Sequence, residues 1–295
     1  MKFDSRGFSS TLTALTIAIS GTIVLCANVG TAWAIKPWKK YSRTPSSLGI
    51  SYDSLNIPTA NSERLTAWLC HPARKQSDQV IILAESDAGN MSDELDMAQA
   101  LVKNLGIEVL LFDYRGFGTS DSIAIDTDFI ALPAFAYDLH SVVTYVRKKL
   151  QPDSSKIVLY GVSMGAGLAM TVASEFHGVG AVIAESPYVS QLEIKNYYDS
   201  VYTAESSTRR IKTIRSILLE PLETIHNLTC PILIMHGELE KQISTRGICE
   251  LFMKCPSRNK TLWIVGNAGH MQIPFKQTGA FLNVVYSFLK SADTH

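Results

Sequence analysis

The sequence predicts an α/β fold with a mostly parallel central sheet flanked by helices. Short apolar runs alternate with longer segments whose apolar residues recur at helical spacing, which is typical of βαβ units. Residues 79–84 read QVIILA, a run of β-branched residues that suits a strand buried on both faces. The chain has 295 residues, 46% of them hydrophobic, which suffices for a sizeable core.

The chain begins this pattern with a hairpin and then alternates strands with helices. Turn residues Pro58 and Asn61 separate two predicted strands, which would form an antiparallel edge of the sheet. The predicted strands are 49–57, 63–70, 79–84, 107–112, 156–160, 179–184, 231–235 and 261–265. The predicted helices are 92–105, 133–150, 164–176, 244–253 and 275–289. One domain therefore spans residues 49–295, and its polar interruption at 187–230 is predicted to form a lid or cap.

The N-terminus differs from the rest of the chain. Residues 8–35 carry no charge, and residues 12–29 are their densest apolar part. This segment predicts either a signal peptide, cleaved near Ala34 so that the domain is exported, or a transmembrane anchor. For an uncleaved anchor, the basic residues that follow would keep the domain in the cytoplasm. Residues 36–48 are basic and aromatic and are predicted to form a linker.

Charge and cysteine content limit the partners and the redox chemistry. Basic and acidic residues balance at 27 each, so no field would attract nucleic acid. Cleavage near Ala34 would leave an even number of cysteines, compatible with two disulfides, although so large a core favours free buried thiols. No cysteine pair has metal-site spacing, so no metal site is expected. No cofactor is expected either. The cysteines concerned are Cys70, Cys230, Cys249 and Cys255.

The most informative motif is Tyr160-Gly-Val-Ser-Met-Gly-Ala166, a G-x-S-x-G sequence between a predicted strand and a predicted helix. In such a nucleophile elbow, the turn is so tight that side chains at Gly161 and Gly165 would collide with neighbouring backbone. The turn exposes the oxygen of Ser163, and the helix directs its N-terminal amides toward developing negative charge. Ser163 is therefore predicted to be a nucleophile.

Phe112-Asp-Tyr-Arg-Gly-Phe-Gly-Thr-Ser120 adds a D-x-R-G-x-G-x-S loop after a strand. With the elbow, this loop resembles α/β-hydrolase serine hydrolases, in the branch with serine aminopeptidase-like, acylglycerol-lipase-like and depalmitoylase-like members. The resemblance covers roughly residues 49–290. It implies an α/β-hydrolase fold, structural roles for Asp113 and Arg115 beside the nucleophile, and a triad in the chain order Ser, acid, His.

The resemblance also suggests the base and the acid. His270 lies in a loop between the last predicted strand and the last predicted helix, where the family has its histidine. The family pattern H-G-x-x-D places Glu240 at the acid position, and Glu238 and Glu185 remain alternatives. His236 is expected to brace the loop.

The first strand–helix loop departs from the family. It reads Ala84-Glu-Ser-Asp-Ala-Gly-Asn90, with Glu85-Ser86 in place of His-Gly. An oxyanion hole requires only backbone N–H groups, and we assign them to Asp87 and Met164. Two carboxylates beside an oxyanion would disfavour it unless they are turned away or paired.

Together these features predict a serine hydrolase that cleaves an ester, thioester or amide acyl bond through an acyl-enzyme on Ser163. Esterase, lipase, thioesterase and peptidase-like activities all fit. The substrate is expected to be a small molecule, a lipid or an acylated protein, and residues 8–35 would allow membrane association. The alternative is a catalytically silent binding or scaffold protein that keeps the fold, because the oxyanion loop and the acid are unusual.

Overall fold

The structure is a computed structural model that describes residues 34–202 and 211–293. Its strands are β1 Lys36–Pro37, β2 Ser51–Pro58, β3 Arg64–His71, β4 Val80–Ala84, β5 Ala88–Gly89, β6 Glu108–Phe112, β7 Ile157–Val162, β8 Ala181–Glu185, β9 Ile232–Gly237 and β10 Lys260–Val265. Its α-helices are α1 Leu95–Leu105, α2 Pro133–Lys149, α3 Met164–Glu175, α4 Gln191–Tyr202, α5 Pro221–Thr224, α6 Thr245–Lys254, α7 Ile273–Lys276 and α8 Thr278–Ala292.

Within the described residues, a central sheet of eight strands has the order β10-β9-β8-β7-β4-β6-β3-β2. The pairs from β10 to β6 are parallel, whereas β3 runs antiparallel to both β6 and β2. The central strands β4, β7, β8 and β9 are buried along their whole length, which explains their continuous apolar sequences. The predicted fold class and the antiparallel hairpin at one edge are confirmed.

Helices pack on both faces of the sheet and enclose two apolar cores. Leu139 and Val142 of α2 and Leu168 of α3 belong to one core, while Leu101 of α1 and Phe281 of α8 belong to the other. The helix predicted at 275–289 is divided, because the backbone of Gln277 leaves the helical region between α7 and α8.

The predicted lid region contains α4, α5 and short 3-10 turns, and its residues 203–210 lie outside the described residues. Its second half packs onto the domain: the Thr171 hydroxyl of α3 donates to the Leu218 carbonyl, and the Lys212 N–H donates to the Asp128 carbonyl. Across residues 34–202 and 211–293, no helix is both long and apolar enough to cross a membrane.

The segment predicted as a linker, residues 36–48, makes specific contacts with the domain. Its strand β1 pairs with β5, and Arg43 forms a two-pronged ion pair with Asp96 of α1. Ala34 and Ile35 are buried in the core. The remainder of the predicted signal peptide or anchor, residues 1–33, lies outside the described residues. The cysteines of the described chain are free thiols, so the possible disulfides are not formed: Cys70, Cys230, Cys249 and Cys255.

Candidate active site

Ser163 lies at the turn between β7 and α3, with φ 52° and ψ −112°. This conformation is unfavourable for a residue with a side chain and costs about 1–3 kcal/mol, so the surrounding packing must enforce it. A Cβ on Gly161 would lie 2.3 Å from the Gly165 carbonyl oxygen, and one on Gly165 would lie 2.1 Å from the Ala84 carbonyl oxygen. The two glycines are therefore sterically required, as the motif predicts.

Three side chains from separate loops meet at the carboxyl end of the sheet. Ser163 follows β7, Glu240 follows β9 and His270 follows β10, and parallel neighbouring strands bring these loops to one edge. The Ser163 Oγ lies 2.9 Å from His270 Nε2, and His270 Nδ1 lies 2.5 Å from Glu240 Oε2. The structure thus brings the three predicted residues into one hydrogen-bonded chain.

The Glu240 carboxyl is built to remain ionised. Its side chain is fully buried, and its second oxygen accepts the Gln242 N–H at 2.8 Å. Burial raises the pKa of this carboxyl, but the His270 hydrogen bond and charge and the Gln242 N–H together hold the pKa below its usual value. A carboxylate here holds a proton on Nδ1 of His270, which leaves Nε2 to accept a proton from the serine.

The two alternative acids have other partners. Glu238 is exposed, and its Oε2 accepts the Asn267 N–H at 3.3 Å. Glu185 is buried and accepts the Tyr160 hydroxyl at 2.8 Å, and burial raises its pKa to about 7. The Glu185 backbone carbonyl accepts the Ser163 N–H at 2.9 Å, so this residue supports the elbow through its main chain.

His236 lies at the end of β9 and is fully buried. Burial lowers its pKa, which favours the neutral ring. It lies close enough to Glu240 and His270 for their charges to affect that pKa. Neither ring nitrogen has a hydrogen-bond partner among the described residues, so the predicted bracing role has no hydrogen bond to support it.

The oxyanion loop, residues 85–91, lies against the start of α3. A Cβ on Gly165 would come within 2.4 Å of the Glu85 carbonyl oxygen, so the elbow and the loop are in backbone contact. Met164 is the first residue of α3, and its N–H therefore has no acceptor within the helix. The Asp87 side chain accepts the Ser86 hydroxyl at 2.8 Å and is near enough to His270 for the imidazolium charge to affect its pKa.

The Glu85 side chain occupies the interior instead of the site. It is 2% exposed, and its electrostatic neighbours are Asp113, Glu94 and Asp93. Burial and these like charges raise its pKa well above the usual value, which favours the neutral carboxyl over the carboxylate. Burial also raises the pKa of Asp87, although the Ser86 hydroxyl opposes this shift. The Glu85 side chain is thus buried, and its pKa shift disfavours the charged form that would oppose an oxyanion.

The charged side chains of the loop after β6 have partners within the domain. The Arg115 guanidinium donates to Asp138 at 2.6 Å and lies 3.2 Å from Glu63. Asp113 accepts the Met91 N–H at 2.9 Å and the Tyr41 hydroxyl at 2.5 Å.

Sequence reasoning missed Tyr41, because it lies in the segment interpreted as a linker. It also missed the Gln242 N–H, because backbone donors carry no residue signature. Within residues 34–202 and 211–293, no group of His, Cys, Asp and Glu side chains could hold a metal ion.

Comparison with known proteins supports the same architecture. A family model described as serine aminopeptidase, S33, matches residues 77–203. The α/β hydrolase domain-containing protein WAV2 of Arabidopsis thaliana is 23% identical over 228 residues, which cover 75% of this chain and 72% of that protein. An uncharacterized membrane protein of Saccharomyces cerevisiae is 24% identical over 262 residues, 88% of each chain.

Solved structures agree at the level of the fold. An esterase of Pyrococcus furiosus superposes with a TM-score of 0.75 at 19% identity, covering 89% of this chain and 99% of that one. At this identity, the likeness speaks for the backbone architecture alone.

Proposed function

Because this chain is an α/β-hydrolase-fold protein, we propose that it is a serine hydrolase that cleaves an acyl bond through an acyl-enzyme on Ser163. One observation carries the proposal: an unbroken hydrogen-bonded chain runs from Glu240 through His270 to the Ser163 hydroxyl. A serine alcohol is a weak nucleophile until a neighbouring base accepts its proton, and His270 is placed to be that base.

The reaction follows from the atoms in contact. His270 Nε2 takes the Ser163 proton as Oγ attacks the carbonyl carbon, and Glu240 stabilises the imidazolium that forms. The tetrahedral intermediate collapses when His270 returns this proton to the leaving alcohol, thiol or amine. Water then attacks the acyl-enzyme through the same base, which regenerates Ser163 and releases the acid.

The Asp87 and Met164 amides are proposed to bind the oxyanion. Met164 begins α3, so the positive end of the helix dipole adds to its N–H. One oxyanion donor is typically worth a factor of about 10²–10³ in kcat. The buried Glu85 supports this assignment, because its raised pKa disfavours the charge that would oppose the oxyanion.

The substrate is proposed to be an ester, a thioester or an amide of a small molecule, a lipid or a protein. A matched panel separates these classes: p-nitrophenyl esters of increasing acyl length, the corresponding acyl thioesters, and aminoacyl anilides. We expect at least one series to be hydrolysed by the wild type and not by Ser163→Ala. Folded wild-type protein that turns over no member above the Ser163→Ala background would favour the silent scaffold instead.

The N-terminal segment is proposed to associate with membranes. Its apolar sequence and the description of the yeast relative as a membrane protein support this proposal. We expect the full chain to sediment with membranes after alkaline carbonate extraction, whereas a chain beginning at Ala34 stays in the supernatant. Equal release of the two chains would contradict membrane association. Secretion of a shortened chain would indicate a cleaved signal.

A further inference from the structure

Residues 34–41, which we call the strap, are hydrogen-bonded to the oxyanion loop. Its strand β1 forms a parallel ladder with β5 of the loop, pairing Lys36 with Ala88. The Lys36 N–H donates to the Asp87 carbonyl at 2.8 Å, and the Trp38 N–H donates to the Gly89 carbonyl at 2.8 Å. The strap thus contacts Asp87 to Gly89 of the loop, whereas the elbow contacts its first residue, Glu85.

Side chains extend this ladder beyond its C-terminal end. The Asn90 amide of the loop donates to the Trp38 carbonyl at 3.2 Å and to the Lys40 carbonyl at 3.0 Å. The Tyr41 hydroxyl donates to Asp113, whose second oxygen accepts the N–H of Met91 at the end of the loop. These hydrogen bonds attach the loop to the strap at successive positions.

The strap is itself fixed to the domain. Ala34 and Ile35 are buried in the core, and the Ala34 N–H donates to the Thr127 carbonyl at 3.0 Å. At the other end, Tyr41 packs its ring against Trp68 with centroids 4.7 Å apart. A segment anchored at both ends can hold the loop in place, whereas a free tail could not.

We infer that the strap is a positioning element of the oxyanion hole, an inference that rests on the proposed serine hydrolase function. The Lys36 N–H fixes the peptide plane that follows Asp87, and this constrains the preceding plane, which carries the Asp87 N–H. An oxyanion donor must lie 2.7–3.1 Å from the developing charge, and a displacement of about 1 Å costs on the order of 10²-fold in rate. The strap, which lies outside the triad, therefore determines how well the oxyanion hole stabilises the transition state.

The direct test replaces Lys36 by proline, which removes the donated N–H. We expect Lys36→Pro to lower kcat by about 10-fold or more while KM changes less than about 2-fold, because the lost interaction acts in the transition state. Affinity for a trifluoromethyl ketone should fall by a similar factor, since its adduct with serine places an oxyanion in the hole. The matched control is Arg43→Ala, which breaks the ion pair with Asp96 outside the strap and should leave kcat unchanged.

A second variant, Asn90→Ala, and a second measurement, amide hydrogen exchange, test the same inference independently. Asn90→Ala removes the two side-chain bonds to the strap without altering the strap's backbone, together with the two bonds that Asn90 Oδ1 accepts from Ser92. It should show the same split between kcat and KM. Amide hydrogen exchange of residues 85–91 should accelerate in both variants and stay unchanged in Arg43→Ala.

Wild-type kcat and ketone affinity in a folded Lys36→Pro or Asn90→Ala protein would overturn the inference, whatever the exchange rates. A wild type without Ser163-dependent turnover would instead refute the proposed function, and the inference would fall with it.

Discussion

The elbow and the strap hold the same loop at different positions and by different physical means. The elbow acts by steric exclusion, since any side chain at Gly165 would overlap the backbone of Ala84 and Glu85. The strap acts by hydrogen bonds between segments that lie far apart in the chain; Asn90 and Trp38, for example, are 52 positions apart. Steric constraints within one turn leave a glycine pattern in the sequence. Backbone hydrogen bonds between distant segments leave none, because every residue except proline can donate one.

The largest effect is expected from a substitution in the elbow. Gly165→Ala places a Cβ 2.1 Å from a carbonyl oxygen that belongs to the sheet backbone, so the loop or α3 must shift. We expect a loss of more than about 3 kcal/mol in unfolding free energy, or no folded protein. Gly279→Ala in α8 is the matched control, because its Cβ meets open space; chemical denaturation should show it unchanged or stabilised. A stable, active Gly165→Ala would contradict the steric account of the elbow.

The second effect concerns Glu240, the proposed acid. Like the strap, Glu240 acts through a hydrogen bond between separate segments, here to His270. Glu240→Gln keeps the shape but loses the charge that stabilises the imidazolium, so kcat should fall by about 10²–10⁴-fold. Glu238→Gln, two residues away and exposed, should change kcat less than about 2-fold. Steady-state kinetics on the best substrate of the panel checks both variants. Comparable losses in the two would mean that the acid is misassigned.

The third effect concerns the strap, through the hydrogen bond from Tyr41 to Asp113. Tyr41→Phe removes the hydroxyl that the buried Asp113 accepts, which should cost about 1–3 kcal/mol of unfolding free energy. Burial raises the pKa of Asp113 to about 6, and the Tyr41 hydrogen bond opposes this rise by favouring the ionised form. The loss should therefore be larger at pH 8, where Asp113 is ionised, than at pH 4.5. Urea unfolding of the wild type and the variant at both pH values measures this loss of unfolding free energy. Tyr137→Phe is the control, because the Tyr137 side chain is exposed.

A loss for Tyr41→Phe that is the same at pH 4.5 and pH 8 would contradict this role for Asp113.

The smallest effect tests whether the buried Glu185 has a structural or a catalytic role. Burial raises the folded pKa of Glu185 to about 7, so the folded state holds this proton more tightly than the unfolded state does. The stability that it contributes is present below its unfolded pKa and is lost as the pH rises toward 7. Glu185→Gln stays neutral, so its melting temperature should exceed that of the wild type by a few degrees at pH 8 and match it at pH 5. A large loss of kcat would instead make Glu185 part of the chemistry.

The sequence permits prediction of those features that depend on neighbouring residues. The alternating strands and helices follow from local apolar runs, and Ser163 follows from a motif whose glycines have a steric reason. Glu240 and His270 came from their positions in a family pattern, and the structure places them in contact. Which carboxyl would reach His270 could not be decided from sequence, since that depends on how the loops after β9 and β10 fold toward each other.

The features that escaped prediction arise from contacts between distant segments. The composition of residues 36–48 indicated a linker, although the backbone of this segment pairs with the oxyanion loop. The sequence also left open whether Glu85 faces the site, because a loop position has no periodicity from which its side-chain direction could be derived. The structure answers that question by burying Glu85.

The central claim is that Ser163 is a nucleophile activated by His270, and a fluorophosphonate probe tests it most directly. The probe should label the folded wild-type chain, with mass spectrometry placing the adduct on Ser163, while Ser163→Ala remains unlabelled and His270→Ala labels much more slowly. Folded wild-type protein that shows no Ser163-dependent labelling would contradict the account.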